Sequence, residues 1–182
     1  LVFNLNFKTG TSYPVENVYN RIEEMGENGE ALFLQFDYTP STAPELYPMC
    51  VAIIRHAFVS NVPLITMTFY PTGAGLIEEA LTDLSTQYGK EAGIDYVNFG
   101  FKTPPLPVLL GLGENLHEVL SEDVRGEPTP EIPMLKNIHS YQDIGLLIDV
   151  TGASMYLSWV NYARGLFGQE IAAGITAVSV SQ

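Results

Sequence analysis

The sequence is poor in cysteine and in basic residues. Its single cysteine, Cys50, leaves no intramolecular disulfide and no cysteine-based zinc site to form. Only 8 basic residues stand against 21 acidic ones, which gives a formal net charge of −13. Because nucleic-acid binding requires a basic face that neutralises phosphates, we expect no nucleic-acid partner. The same charge disfavours binding to anionic lipid surfaces.

The sequence also lacks an apolar run long enough to span a membrane, and few of its residues are charged. No run reaches the ~18 consecutive apolar residues of a membrane-spanning helix. The chain has no initial Met and ends in an apolar run, so we expect a targeting or membrane segment outside residues 1–182. Charged residues make up 16%, below the usual ~25%, and apolar residues make up 46%. We therefore expect a well-packed core and some apolar surface that meets a partner.

Apolar runs that alternate with helical patterns predict one α/β domain over residues 1–182. We expect a three-layer, doubly wound, mostly parallel sheet of Rossmann-like or flavodoxin-like type, with strand order 3-2-1-4-5. Residues 1–7 are a candidate sixth strand at one edge. Helices are predicted over residues 14–25, 45–60, 76–88, 114–120 and 154–167, and strands over residues 31–38, 64–70, 96–101, 144–150 and 171–180.

Prolines and glycines predict the connections between these elements. Residues 71–75 are predicted as a turn, residues 104–113 as an irregular apolar segment, and residues 122–143 as a long crossing loop. A proline inside a helix costs a hydrogen bond, so we place the start of the second helix near Tyr47, with Pro48 in its first turn.

Two aspartates follow buried strands on either side of the predicted reversal of strand order. Asp37 is the next-to-last residue of the run 31–38, and Asp149 is the next-to-last residue of the run 144–150. Ligands of such folds bind beyond the carboxyl ends of the strands at this reversal. The two carboxylates can hold a divalent cation, or they can share a proton as an acid/base pair. The competing interpretation is that each aspartate caps the turn that follows it.

Three strand-to-helix turns rich in hydroxyl groups and glycine meet the same edge of the sheet. Together they predict a polar cleft for a small polar ligand, although each turn alone is equally typical of a structural cap. No sequence spacing around His56, His117 or His139 indicates a catalytic triad or zinc site. The candidate ligand-binding residues are Thr39, Ser41, Thr42, Thr72, Gly73, Gly75, Thr151, Gly152 and Ser154.

The apolar segment 104–113 allows two interpretations. If the long loop covers it, the segment belongs to the core. If it is exposed, it exceeds an ordinary apolar surface patch and marks a docking face for a protein partner or a second copy of the chain.

Several longer motifs resemble a family of uncharacterised prokaryotic Rossmann-like α/β proteins. The motifs are FDYTPSTAPELYP from Phe36, GIDYVNFGFK from Gly93, GLGENL from Gly111, EIPMLKNI from Glu131 and IGLLIDVTG from Ile144. The resemblance covers nearly all of the chain. It implies an α/β fold and flanking hydrophobic segments that tether the domain to a membrane. It implies no activity and no catalytic residue.

These observations favour a non-catalytic binding or assembly domain, the soluble part of a membrane-associated complex. One alternative is a metal-dependent hydrolase or transferase that uses Asp37 and Asp149. The other is a domain that binds a small polar ligand at the hydroxyl-rich turns.

Overall fold

Five parallel strands form one sheet at the centre of residues 12–177, which this computed structural model describes. Their order across the sheet is β3-β2-β1-β4-β5. The predicted α/β class and the order 3-2-1-4-5 are therefore confirmed. The strands are β1 (Ala31–Asp37), β2 (Leu64–Thr68), β3 (Tyr96–Phe101), β4 (Ile144–Thr151) and β5 (Ile171–Ile175).

Helices cover both faces of the sheet. The first three pack on one face, and the rest pack on the other with the long loop between β3 and β4. This is the three-layer arrangement that right-handed crossovers produce when the strand order reverses. The helices are α1 (Tyr13–Asn28), α2 (Ala43–Val59), α3 (Pro71–Tyr88), α4 (Pro105–Glu114), α5 (Leu116–Val119), α6 (Met155–Ser158) and α7 (Gly165–Phe167).

A π-helical turn, Trp159–Arg164, joins α6 to α7, so that residues 155–167 form one continuous helical segment. A helix was predicted over residues 154–167, and the π-helical turn is an addition to that prediction. Such turns carry an extra residue and shift the side chains that follow them. Here the turn begins with Trp159, which is fully buried against the sheet.

Most residues of the strands are apolar because helices cover both faces of the sheet. All seven residues of β1 and all five of β2 are buried. Every neighbouring pair runs parallel, and the chain reverses its direction of progress across the sheet between β1 and β4. Their carboxyl ends therefore form the place where a ligand crevice is expected.

The positions at which helices begin differ most from the predictions, and the differences occur at prolines. The predicted turn 71–75 is the first turn of α3, and the predicted irregular segment 104–113 is mostly α4. Both helices begin at a proline, whose fixed φ suits that position and whose missing N–H would have no partner there. Pro48 lies inside α2, which begins at Ala43 and not near Tyr47.

The predicted edge strand over residues 1–7 lies outside the described residues, as does the end of the last predicted strand, residues 178–180. Within residues 12–177, no helix combines the length and the apolar character that crossing a membrane requires.

Candidate functional site

The structure places Asp37 and Asp149 on adjacent strands, at the reversal of strand order. In the β1–β4 register, Gln35 lies opposite Asp149, and Asp37 lies opposite Thr151. Because side chains alternate along a strand, these four residues point to the same face of the sheet. Trp159 and Phe33 lie on this face, with their ring centroids 6.1 Å apart.

Both carboxylates are enclosed by protein and do not line an open cleft. Asp37 is 1% exposed and Asp149 is 0% exposed. The Trp159 ring also stacks on Phe69, with their centroids 5.8 Å apart. An apolar aromatic layer therefore lies on the same face of the sheet as the two acidic side chains.

One carboxylate oxygen of Asp37 is well supplied with hydrogen bonds. Its Oδ1 accepts a hydrogen bond from the Phe69 backbone N–H at 2.8 Å and from the Gln35 side-chain amide at 2.7 Å. The Thr68 hydroxyl donates to the same oxygen at 3.3 Å. Asp37 thus ties the ends of β1 and β2 together, a role that its position at a strand end did not reveal.

The other oxygens of this cluster have no donor within the described part of the chain. These buried acceptors are Oδ2 of Asp37, both carboxylate oxygens of Asp149, and Oε1 of Gln35. Asp149 therefore does not cap the turn that follows it, which was the competing interpretation of this residue. Buried polar atoms without partners are uncommon in folded proteins, so these four call for an explanation.

Burial perturbs the acidity of both groups. Removal from water disfavours a charged carboxylate and raises the pKa of Asp37 to about 6, although its hydrogen bonds from Phe69, Gln35 and Thr68 oppose the rise. Burial also raises the pKa of Asp149 well above its ordinary range, and the nearby charge of Asp37 raises it further. The two groups therefore titrate as a pair.

The hydroxyl groups of the turn after β1 form hydrogen bonds within that turn. The Thr39 and Ser41 hydroxyls lie 2.8 Å apart and form a hydrogen bond. The Thr42 hydroxyl accepts from the Thr39 backbone N–H at 3.1 Å and donates to the Thr39 carbonyl at 3.2 Å. The Thr42 hydroxyl therefore closes the turn before α2 and forms no side-chain cap of that helix.

The turns after β2 and β4 behave similarly. The Thr72 hydroxyl donates to the Tyr38 carbonyl at 3.3 Å, and the Thr151 hydroxyl bonds with the backbone of Ala153. Gly73 is buried, whereas Gly75 and Ser154 are exposed, and Ser154 forms no side-chain cap of α6.

The turns after β1 and β4 press against each other. The Gly152 backbone N–H donates to the Asp37 carbonyl at 3.2 Å. A Cβ atom at Gly152 would lie 2.7 Å from Cγ2 of Thr42, so a side chain larger than glycine does not fit. This contact brings the two strand ends together at the position where a ligand crevice is expected.

The histidines lie apart from the two aspartates. His56 forms a hydrogen bond with the Glu23 carboxylate at 2.5 Å, and His117 bonds with the Ile138 carbonyl at 2.8 Å. The ring of His139 lies 4.9 Å from that of His117. Among residues 12–177, no three histidine, cysteine, aspartate or glutamate side chains are grouped to hold a metal ion.

Most of the apolar segment 104–113 lies in α4 and supplies core residues. Val108, Leu109 and Leu112 are buried beside β3, β1 and the helical segment 155–167, whereas Leu106 is 44% exposed. The segment therefore has a core face, and its role as a docking surface stays a prediction.

A groove on the opposite face of the sheet was not predicted from the sequence. It has a volume of about 590 Å³ and lies between α1, α2 and β5. Val18, Met49, Ile53 and Ala172 line it and are only partly buried. Among residues 12–177, α1 packs through two buried residues, Ile22 and Met25, and this part of the chain leaves apolar side chains beside β5 uncovered. The described residues that line it are Pro14, Val15, Asn17, Val18, Arg21, Met49, Ala52, Ile53, Leu146, Ile148, Glu170, Ile171, Ala172, Ala173 and Gly174.

Comparison of the chain with protein families, with curated proteins and with solved structures found no match. Of what the sequence resemblance implied, the α/β fold is confirmed by the strand topology. The prokaryotic family and the membrane tether stay predictions.

Proposed function

We propose that this chain is a non-catalytic protein-binding domain that takes up an apolar segment of another protein in the groove between α1, α2 and β5. The observation that carries the proposal is the groove itself, an apolar depression of about 590 Å³. Uncovered apolar surface on a folded domain is a usual mark of a site for another molecule.

The exposed side chains of α1 extend the groove to the molecular surface. Tyr13, Val15 and Tyr19 are all exposed on α1, and Val15 also lines the groove. Aromatic and aliphatic side chains of this kind supply the anchor contacts at the centre of many protein interfaces.

Charge favours a partner whose apolar segment is flanked by lysine or arginine. The chain carries a net charge of −13, and its field attracts a basic segment while it repels an acidic one. Among the described residues that line the groove, the one basic side chain is that of Arg21, which already pairs with Glu30 and Glu170. Little positive charge is therefore left there to oppose a basic partner.

The alternative functions have less support from the same geometry. A hydrolase or transferase that used Asp37 and Asp149 with a divalent cation would need a substrate to reach side chains that are 1% and 0% exposed. A small polar ligand at the strand-end turns would have to displace Thr42 from Gly152 and compete with hydroxyl groups that already bond within their turns.

The test uses synthetic peptides and two matched variants. A fluorescein-labelled peptide of alternating leucine and lysine is compared with one of alternating leucine and glutamate, by fluorescence anisotropy. Val15→Asn changes a groove residue that is 58% exposed, and Val59→Asn changes a residue on α2 that is 59% exposed and does not line the groove. We expect the lysine peptide alone to bind, and Val15→Asn to weaken it about fivefold, the equivalent of about 1 kcal/mol.

Three results would contradict the proposal. Equal binding of both peptides would remove the argument from charge. Equal loss in Val15→Asn and Val59→Asn would show that the peptide coats the acidic surface without using the groove. A dimer in size-exclusion chromatography that Val15→Asn dissociates would mean that the groove holds a second copy of the chain.

A further inference from the structure

The buried oxygens at the ends of β1 and β4 carry an inference that does not depend on the groove. Four acceptor atoms of Gln35, Asp37 and Asp149 have no donor within residues 12–177, and all three side chains are 0–1% exposed. The amide nitrogen of Gln35 donates to Asp37, which fixes the amide within the cluster and leaves its Oε1 unpaired. The unpaired amide oxygen is a second observation, independent of the two acids, that a donor is missing.

We propose that Gln35, Asp37 and Asp149 form a buried proton-binding site, in which Asp149 is a neutral acid and Asp37 takes up a second proton in mildly acidic solution.

Two protons satisfy all four acceptors. Asp149 lies opposite Gln35 in the register, and it is two residues from Thr151, the register partner of Asp37, on the same face of the sheet. A proton on one Asp149 oxygen donates to Oε1 of Gln35, and a proton on Oδ2 of Asp37 donates to the other Asp149 oxygen. Each proton turns the oxygen that carries it into a donor, and that oxygen then donates to one of the other unpaired oxygens. Two protons therefore give all four oxygens a hydrogen-bond partner. With the first proton alone, the pair carries one negative charge.

Within the described part of the chain, no positive charge acts on Asp37 or Asp149 to keep both carboxylates ionised. At the end of β2, the Thr68 hydroxyl and the Phe69 backbone N–H donate to Asp37. On β5, Ala173 lies opposite Asp149. From α2, the neighbouring Cys50 is buried, and burial raises the pKa of its thiol well above the ordinary value, so that it brings no positive charge.

The elements on the Trp159 side add no charge either. The helical segment 155–167 contributes Trp159 and the partly buried Tyr162, while its Arg164 is exposed. From α4, the buried side chains in this layer are apolar, and Glu114 is exposed. In such surroundings a carboxylic acid holds its proton more tightly than in water, and both aspartates have a raised pKa.

The experiment observes the aspartates directly by nuclear magnetic resonance. The chain contains only six aspartates, so that selective ¹³Cγ labelling of aspartate gives six carboxyl signals to follow from about pH 4 to about pH 8. The variants Asp149→Asn, Asp37→Asn and Asp83→Asn each remove one signal and so assign it. Asp83 is exposed on α3 and serves as the matched control.

We expect one carboxyl signal to keep the chemical shift of a neutral acid at about pH 7, and that signal to be missing in Asp149→Asn. A second signal, missing in Asp37→Asn, should move near about pH 6, as expected for a coupled pair. The wild-type titration decides the question even if Asp149→Asn does not fold, because a neutral aspartate at neutral pH is visible without any variant.

Two results would overturn the proposal. Six ionised signals at about pH 7 would mean that both carboxylates are charged and that the cluster is neutralised in another way. If millimolar MgCl₂ or CaCl₂ moved the Asp37 and Asp149 signals to the ionised position, the four oxygens would be ligands of a cation and not holders of protons.

Discussion

The contribution of Asp37 to the stability of the fold should fall as the pH rises from about 4 to about 6, because Asp37 binds its proton more tightly in the folded state. An ordinary aspartate has a pKa of 3.8, whereas burial raises that of Asp37 to about 6. At 1.36 kcal/mol for each pKa unit, this rise corresponds to about 3 kcal/mol. The contribution is fully present below about pH 4 and is lost as the pH passes through about 6.

The comparison with Asp37→Asn isolates this contribution. The asparagine keeps an oxygen that can accept from the Phe69 N–H and does not titrate. Other carboxyls act in the opposite direction: the Arg21 guanidinium bonds with Glu30 and lowers its pKa, so that its contribution is lost as the pH falls. Those groups are present in both proteins, and their effects cancel in the difference between the two free energies of unfolding.

The assay is urea denaturation followed by circular dichroism at a series of pH values. We expect the free energy of unfolding of the wild type, minus that of Asp37→Asn, to fall by about 3 kcal/mol between about pH 3.5 and about pH 7. A difference that stayed constant within about 0.5 kcal/mol over this range would refute the argument, because Asp37 would then have the same pKa in the folded and unfolded states.

Two further pairs of substitutions test the packing by the same denaturation assay. Gly152→Ala places a Cβ 2.7 Å from Cγ2 of Thr42 and should cost about 1–3 kcal/mol, whereas Gly75→Ala meets nothing within 4 Å and should stabilise α3 by about 0.5–1 kcal/mol. Equal effects would show that the two strand-end turns are not in tight contact. Leu112→Ala should cost about 2–5 kcal/mol and Leu106→Ala less than about 0.5 kcal/mol; a large loss in both would place the whole of α4 in the core.

The strand order could be predicted because the buried strands of a parallel sheet are short apolar runs separated by helical patterns. Right-handed crossovers leave few arrangements for such a chain, and the order 3-2-1-4-5 was among them. Helix starts were less predictable. Pro71 and Pro105 are compatible with a turn and with the first position of a helix, and only the packing of α3 and α4 decides between these.

The candidate site was predicted in part. Asp37 and Asp149 could be placed at neighbouring strand ends, but their burial could not, because it depends on how the segments on this face pack over the sheet. Gln35 was missed although a signal existed. It is the only polar residue in the run 31–36, and the two-residue period of a strand puts it on the same face as Asp37. The groove left no such signal, since it is a gap between helices.

The sparse attachment of α1 has a consequence for motion. Of its sixteen residues, Ile22 and Met25 alone are buried. Glu23 adds hydrogen bonds with His56 and Ser60, and the part-buried Arg21 donates to Glu30, Glu170 and the Gly145 carbonyl. Helices with so few buried contacts open locally at a smaller free energy than the sheet beneath them. The α1 wall of the groove is therefore its movable wall, and the affinity of the groove includes the free energy of displacing that wall. Amide hydrogen exchange along α1 will measure that free energy separately from the unfolding of the sheet.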